Sequence, residues 1–257
     1  MDPSIENNSL QEPNDRLTFG PMANTRDDEP AVRVRKDWAM CALHDLFPPV
    51  CGVACQVYVP PLPVLPEAEA RAVALAAEPR KIDFTLGRVA AREALQKIGH
   101  PPTAIPVGTD RAPIWPAGII GSIAHTKNVA VAVVARVEQV LALGVDIEQS
   151  SAVTEDLWPK LFLLEERIFL QSIDEASRAC FATAIFSVKE AFYKFQFPHT
   201  NEWLDFQDVK LSLNLGSTNC TVRVNRPLLL GGKNTDVFSA SFKIGDALTL
   251  AAVSLPA

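Results

Sequence analysis

SIAHTKNVAVAVVARVEQVLALGVDIE, residues 122–148, decides how this chain is read. Val129–Val137 is β-branched and alanine-rich, which suits a buried strand. Val140–Glu148 reads as the next strand, and the link at Glu138 and Gln139 is short enough for a hairpin. On a strand, residues i and i+2 share a face, so Asp146 and Glu148 stand side by side, roughly 6.6–7 Å apart at Cα. Downstream, FSVKEAFYKF (186–195) reads as a helix carrying Glu190 between Lys189 and Lys194. Carboxylates converging from a strand and a helix repel by about 4 kcal/mol per pair at ~4 Å and an effective dielectric near 20. A hard divalent cation removes that repulsion, and Mg²⁺ typically combines few carboxylates with waters and substrate phosphates. The neighbouring lysines point to a phosphate-bearing ligand.

Outward from this stretch, the chain alternates helices and strands in blocks. Helical patterns cover 66–77 and 83–98, the second ending at Gly99 and Pro101–Pro102. Further helices are expected over 154–171 and 175–195, then strands at 206–213, 219–224, 236–243 and 247–254. Helices grouped before antiparallel strands indicate an α+β fold. Residues 1–30 read as a mobile acidic tail, 31–142 as an N-terminal α+β half and 143–257 as a C-terminal one.

Composition excludes several classes. Seven acids against two arginines put −5 of the net −6 into residues 1–30, so the body is nearly neutral and lacks the basic excess of a nucleic-acid binder. No apolar run is long enough to span a bilayer. The N-terminus lacks the pattern of a signal peptide. Five cysteines without a CxxC pair suit reduced thiols, and a cytoplasmic location is expected.

Five segments, in order, resemble the Sfp-type 4′-phosphopantetheinyl transferases, and most of all their enterobactin synthase component D branch. They are RKIDFTLGRVAAREAL (80–95), APIWPAGIIGSIAHT (112–126), GVDIE (144–148), FSVKEAFYKF (186–195) and FPHTNEWLDFQD (197–208). GVDIE alone is a weak signal; the ordered set is specific. The resemblance implies two similar α+β halves in pseudo-twofold arrangement, with coenzyme A between them. It implies transfer of the 4′-phosphopantetheine arm to a serine of an apo acyl or peptidyl carrier protein, releasing adenosine 3′,5′-bisphosphate. Mg²⁺, or Mn²⁺ in its place, is the implied cofactor. A monomer is expected, with neither nucleic acid nor membrane as partner, and a role in secondary metabolism such as siderophore assembly.

The resemblance also assigns roles. Asp146, Glu148 and Glu190 match the metal acids. Lys189, Lys194 and His125 match groups near the coenzyme A phosphates, and Arg80 and Arg88 match basic positions for its 3′-phosphate. Arg92 and Arg111 are weaker candidates. Many relatives carry a hydroxyl where this chain has Ala124, so Ser122 or Thr126 is expected to contribute instead. Glu166 aligns with a proposed general base, with Glu190 and a metal-bound water as alternatives. The aromatic segment 197–206 either receives a carrier helix or packs inward. Two other functions compete: a metal-dependent hydrolase of pyrophosphate bonds, and a non-catalytic module that binds coenzyme A or a carrier. Four dispersed histidines disfavour the first, and retention of all three acids disfavours the second.

Overall fold

Helical structure begins at the edge of the expected tail. The computed structural model describes residues 29–109 and 111–257, and α1 (Glu29–Leu46) opens it. Up to residue 28, the expected mobile tail lies outside the described residues. Ala39, Ala42 and Leu43 of α1 are buried, the i, i+3, i+4 spacing of an amphipathic helix.

The remaining elements are β1 (Gly52–Val57), α2 (Glu67–Ala70), α3 (Glu78–Lys97), β2 (Ile119–Thr126), β3 (Val129–Arg136), β4 (Val140–Gln149), α4 (Trp158–Leu161), α5 (Leu164–Ser172), α6 (Glu175–Thr200), β5 (Val209–Leu213), β6 (Asn219–Leu230), β7 (Lys233–Ile244) and β8 (Leu248–Pro256). The fold is α+β, with one antiparallel sheet ordered β1-β3-β2 and another ordered β4-β8-β7-β6-β5. The hairpin expected between β3 and β4 does not form. β1 and β2 occupy both edges of β3, so β4 turns away and pairs with β8 in the other sheet. No helix among the described residues is long and apolar enough to cross a membrane.

The sheets stack as layers. Alternate residues of β1 and β3 (Val53, Cys55, Val131, Val133) meet Val145, Ile147 and Leu250 of the second sheet in a shared core, together with α1. On the outer face of the first sheet, Ala90, Ala91, Ala94 and Leu95 of α3 cover Ala54, Ala132 and Val134. On the outer face of the second, Ile185, Val188, Phe192 and Phe195 of α6 cover Ala142, Ala251 and Val253. A helix thus lies on each outer face.

Two glycines set how closely those helices approach. A Cβ at Gly52 would stand 2.1 Å from the Ala94 carbonyl oxygen of α3, and one at Gly144 would stand 2.0 Å from the Ala191 carbonyl oxygen of α6. No side chain fits either distance, so α6 lies directly on β4. Asp146 and Glu148 share the Gly144 side of the strand, and so point toward α6.

Candidate active site between the two sheets

Asp146 is 4% exposed, and its carboxylate is the hub of the C-terminal cluster. Lys194 Nζ donates to Oδ1 at 2.6 Å and Ser187 Oγ donates to Oδ2 at 2.8 Å. Both donors come from α6. Ser187, Glu190 and Lys194 are spaced i, i+3, i+7 and so share the helix face pressed against β4. Glu148 lies two residues beyond Asp146, with Thr126 Oγ1 donating to it from β2 at 3.4 Å.

The charges in this cluster are mutually dependent. Burial, joined by the carboxylates of Asp146 and Glu190, pushes the Glu148 carboxyl up to about 8, against the pull of Lys194 and Thr126. Burial also raises Glu190, opposed by Lys194 and reinforced by Asp146. Burial pulls Lys194 down, but the acids around it, Asp146 first, outweigh that and leave it raised. Three acids share one ammonium, which leaves the cluster short of positive charge. Their hard oxygen donors could hold a Mg²⁺-type cation. Among the described residues, however, no three His, Cys, Asp or Glu side chains, the expected Asp146, Glu148 and Glu190 included, are gathered closely enough to hold a metal ion as they stand. Lys194 occupies part of the counter-charge position on Asp146.

A second cluster lies on α3 and the end of β2, joined to the first through Thr126. Arg80 Nη1 lies 3.2 Å from His125 Nε2, and Asp83 Oδ2 lies 3.6 Å from His125 Nδ1. A guanidinium can only donate, so Nε2 accepts and the ring proton sits on Nδ1, toward Asp83. Burial raises the Asp83 carboxyl, with Arg80 opposing. Arg88 is 5% exposed and its guanidinium stacks over Phe84 at 4.4 Å. Its Nε has no hydrogen-bond partner among the described residues. Burial pulls it down to about 10, opposed by Glu69 and assisted by Arg80 and Arg92. A buried donor left unpaired costs about 1–3 kcal/mol, more when charged, which marks Arg88 as a group waiting for an anion. Arg92 pairs instead with Glu69, whose other oxygen accepts from Ile105 N at 2.8 Å, and this tie fastens α2 to α3. Arg111 is exposed, on a positive-φ turn.

β2 joins the clusters, because neighbouring residues on a strand point to opposite faces. His125 meets α3, and Thr126 meets Glu148.

Three expected contacts are corrected by where the structure places the residues. Lys189 is 3% exposed, and its Nζ donates to Glu166 Oε2 (2.7 Å), Leu161 O (3.0 Å) and Phe206 O (2.9 Å). All three of its protons are used inside the C-terminal half, and none is left for a phosphate. Glu166, 2% exposed, also accepts from Leu163 N and Leu211 N at 2.8 Å. A sealed and fully bonded carboxylate cannot reach a substrate hydroxyl, so Glu166 is placed as a structural anchor rather than a base. Ser122, 4% exposed, accepts from Val145 N at 3.1 Å and fastens β2 to β4 instead of facing a ligand.

The structure also adds residues. Ser187 was not singled out in the sequence, although its position three before Glu190 on one helix face was a usable signal. Asp83 had no signal beyond its charge. Beside Glu190 lies a cavity of about 270 Å³ walled by Tyr193, Trp203, Leu204 and Phe206. Phe206 packs inward, stacked on Phe186 at 5.6 Å, whereas Trp203 is 72% exposed at the mouth.

Known proteins share this arrangement of sequence. The family described as 4′-phosphopantetheinyl transferase N-terminal domain matches residues 68–135, and that described as 4′-phosphopantetheinyl transferase superfamily matches residues 142–247. The 4′-phosphopantetheinyl transferase Npt of Nocardia iowensis is 32% identical over 196 residues, which is 73% of this chain and 87% of Npt. The 4′-phosphopantetheinyl transferase Svp of Streptomyces mobaraensis is 31% identical over 201 residues, 77% of this chain and 81% of Svp. Enterobactin synthase component D of Salmonella typhi is 39% identical over 121 residues, 45% of this chain and 47% of that protein. Matched in both halves, and over most of the length of relatives above 30% identity, the chain belongs to the 4′-phosphopantetheinyl transferase superfamily.

Proposed function

We propose that this protein transfers the 4′-phosphopantetheine arm of coenzyme A to the serine hydroxyl of an apo acyl or peptidyl carrier protein. The observation that carries the proposal is the pairing of two opposite clusters at one strand end. Arg88, with its unpartnered buried Nε, and the Arg80–His125 pair make one; the Asp146–Glu148–Glu190 acids with Lys194 make the other.

Each group has a task that follows from its surroundings. Arg88 and Arg80 bind the 3′-phosphate, where guanidinium forks form charge-assisted hydrogen bonds. His125, held between Asp83 and Arg80, orients the Arg80 guanidinium, and on protonation its ring can donate to the phosphate that leaves with the adenosine. Lys194 holds positive charge against the diphosphate. Asp146, Glu148 and Glu190 would hold Mg²⁺ or Mn²⁺. When bound, the ion supplies charge neutralisation and polarisation at the diphosphate. With Glu166 engaged inside the fold, Glu190 and a metal-bound water are the two groups left to take the serine proton. The apolar cavity beside Glu190 accommodates the pantetheine arm and keeps water from the reacting phosphorus.

The near-neutral body gives no long-range attraction for an acidic carrier, so docking rests on local contacts such as exposed Trp203. We read the protein as a cytoplasmic monomer serving siderophore or other nonribosomal peptide carriers. The likeness to enterobactin synthase component D supports that reading. Incubation with coenzyme A, Mg²⁺ and an apo carrier, followed by mass spectrometry, tests the function. A carrier heavier by one phosphopantetheine supports it. Coenzyme A hydrolysed without carrier, or bound without turnover, refutes it.

A further inference from the structure

A second charged pocket lies well away from the cluster around Asp146. It encloses about 260 Å³ between α4, α5 and the start of α6, lined by Glu155, Trp158, Pro159, Arg167, Gln171 and Arg178. Arg178 precedes Glu190 by twelve residues of α6, about 18 Å along the axis at roughly 1.5 Å per residue. None of the lining residues belongs to the machinery described above.

Two buried donors in this lining have no partner. Trp158 is 5% exposed, and its indole Nε1–H has no acceptor among the described residues. The same holds for Arg167 Nε–H. A buried N–H without an acceptor costs about 1–3 kcal/mol, so two beside one cavity call for a shared acceptor. The walls are otherwise ordered. Arg178 Nε donates to Ile173 O at 3.3 Å and its Nη2 to Gln171 O at 3.4 Å, which fixes its guanidinium at the end of α5. Glu155, the one acid of the lining, is exposed, and among the described residues no ion pair joins it to either arginine. The cavity thus offers two guanidinium groups and an indole donor, with the exposed Glu155 carboxylate and the Gln171 amide as the side-chain acceptors of its lining.

We propose that this pocket is a binding site for a phosphate-class oxyanion, held by Arg167, Arg178 and the Trp158 indole. Guanidinium N–H forks match the paired oxygens of phosphate, and the indole can only donate, so the site selects acceptors. A metal cation or an amine would meet the two guanidinium groups, opposed only by the exposed Glu155 carboxylate and the Gln171 amide.

The Trp158 indole N–H reports on the site directly. Its ¹H–¹⁵N resonance is identified by its loss in Trp158→Phe and followed while inorganic phosphate, and separately glycerol 3-phosphate, is added to the full-length protein. A saturable shift with either ligand supports the site, and the tighter ligand tells a free from an esterified phosphate. Arg167→Gln should weaken that response at least tenfold and Arg178→Gln should weaken it measurably, while Arg88→Gln leaves it unchanged. An indole resonance that stays still, or that moves equally in Arg167→Gln, overturns the proposal. Thermal melts of Arg167→Gln without phosphate show that the variant is folded, so a lost response is not read from an unfolded chain.

Discussion

Breaking the Lys189–Glu166 pair should reduce stability heavily while leaving the chemistry of each folded molecule intact. Both side chains are at most 1% exposed and meet at 2.7 Å. Burial pulls the Lys189 ammonium down, and Glu166 is the chief force holding it up. In Glu166→Gln a buried ammonium keeps two carbonyl acceptors, from Leu161 and Phe206, but loses its anion. In Lys189→Met a buried carboxylate keeps two backbone donors, from Leu163 and Leu211, but loses its cation. Removing one partner of a buried pair typically costs about 3–5 kcal/mol. At about 2–4 °C per kcal/mol for a chain of this size, each single variant should melt on the order of 10 °C lower. Both singles strand a charge and the double does not, so Lys189→Met with Glu166→Gln should lose clearly less than the two losses added. Calorimetric melts give the stability, and the rate of carrier modification below the melting range, per folded molecule, gives the chemistry. If Glu166→Gln melts with the parent and has lost transfer, Glu166 is a base and the structural assignment is wrong.

Three other outcomes are expected. Asp146→Asn should remove transfer beyond the roughly 10–100-fold typical of an outer partner of a metal ligand, and circular dichroism should still show a folded chain; mass spectra with parental levels of modified carrier would remove Asp146 from the site. Arg88→Gln should weaken coenzyme A by about 1.5–3 kcal/mol, as for a hydrogen bond to a charged group, and barely affect 3′-dephospho-coenzyme A; equal losses in titration calorimetry would place the 3′-phosphate elsewhere. Glu148 titrates near 8 in the folded protein against an ordinary 4.5, so without metal the folded state holds an extra proton between those values. Its stabilising effect is therefore complete below 4.5 and is lost as pH rises through about 8. Mg²⁺ held by these acids as proposed would compete with that proton, so the rise in Tm on adding Mg²⁺ should grow with pH across this window and flatten in Glu148→Gln; a rise independent of pH contradicts this reading.

The strand bearing Asp146 and Glu148 was legible because period-2 alternation and the GVDIE acids lie within ten residues. The partnership with α6 was legible only in part. Sequence showed that Glu190 and Lys194 share a helix face, but not that Gly144 lets that face rest on the strand. Lys189 was expected at a phosphate and Glu166 at the substrate hydroxyl; what engages them instead, the backbone of β5 and the Phe206 turn, arrives from about forty residues downstream of Glu166. The burial of Arg88 was legible only in part: Phe84 beneath it is local, but Glu69 is not. The hairpin between β3 and β4 was expected from loop length alone, and loop length carries no information about which edges β1 and β2 already fill.

The meeting of His125 with α3 and of Thr126 with Glu148 makes one peptide unit of β2 a ruler. Neighbouring Cα atoms are about 3.8 Å apart, so under the proposed function the spacing between the adenosine end and the reactive end of the ligand would be written into covalent geometry rather than into the tilt of one half against the other. A single inserted or deleted residue before His125 would swap which way every following side chain of that strand looks, exchanging the imidazole and the hydroxyl between their compartments. Homologues should therefore vary freely in loop length on either side of β2 and keep the count of residues within it fixed.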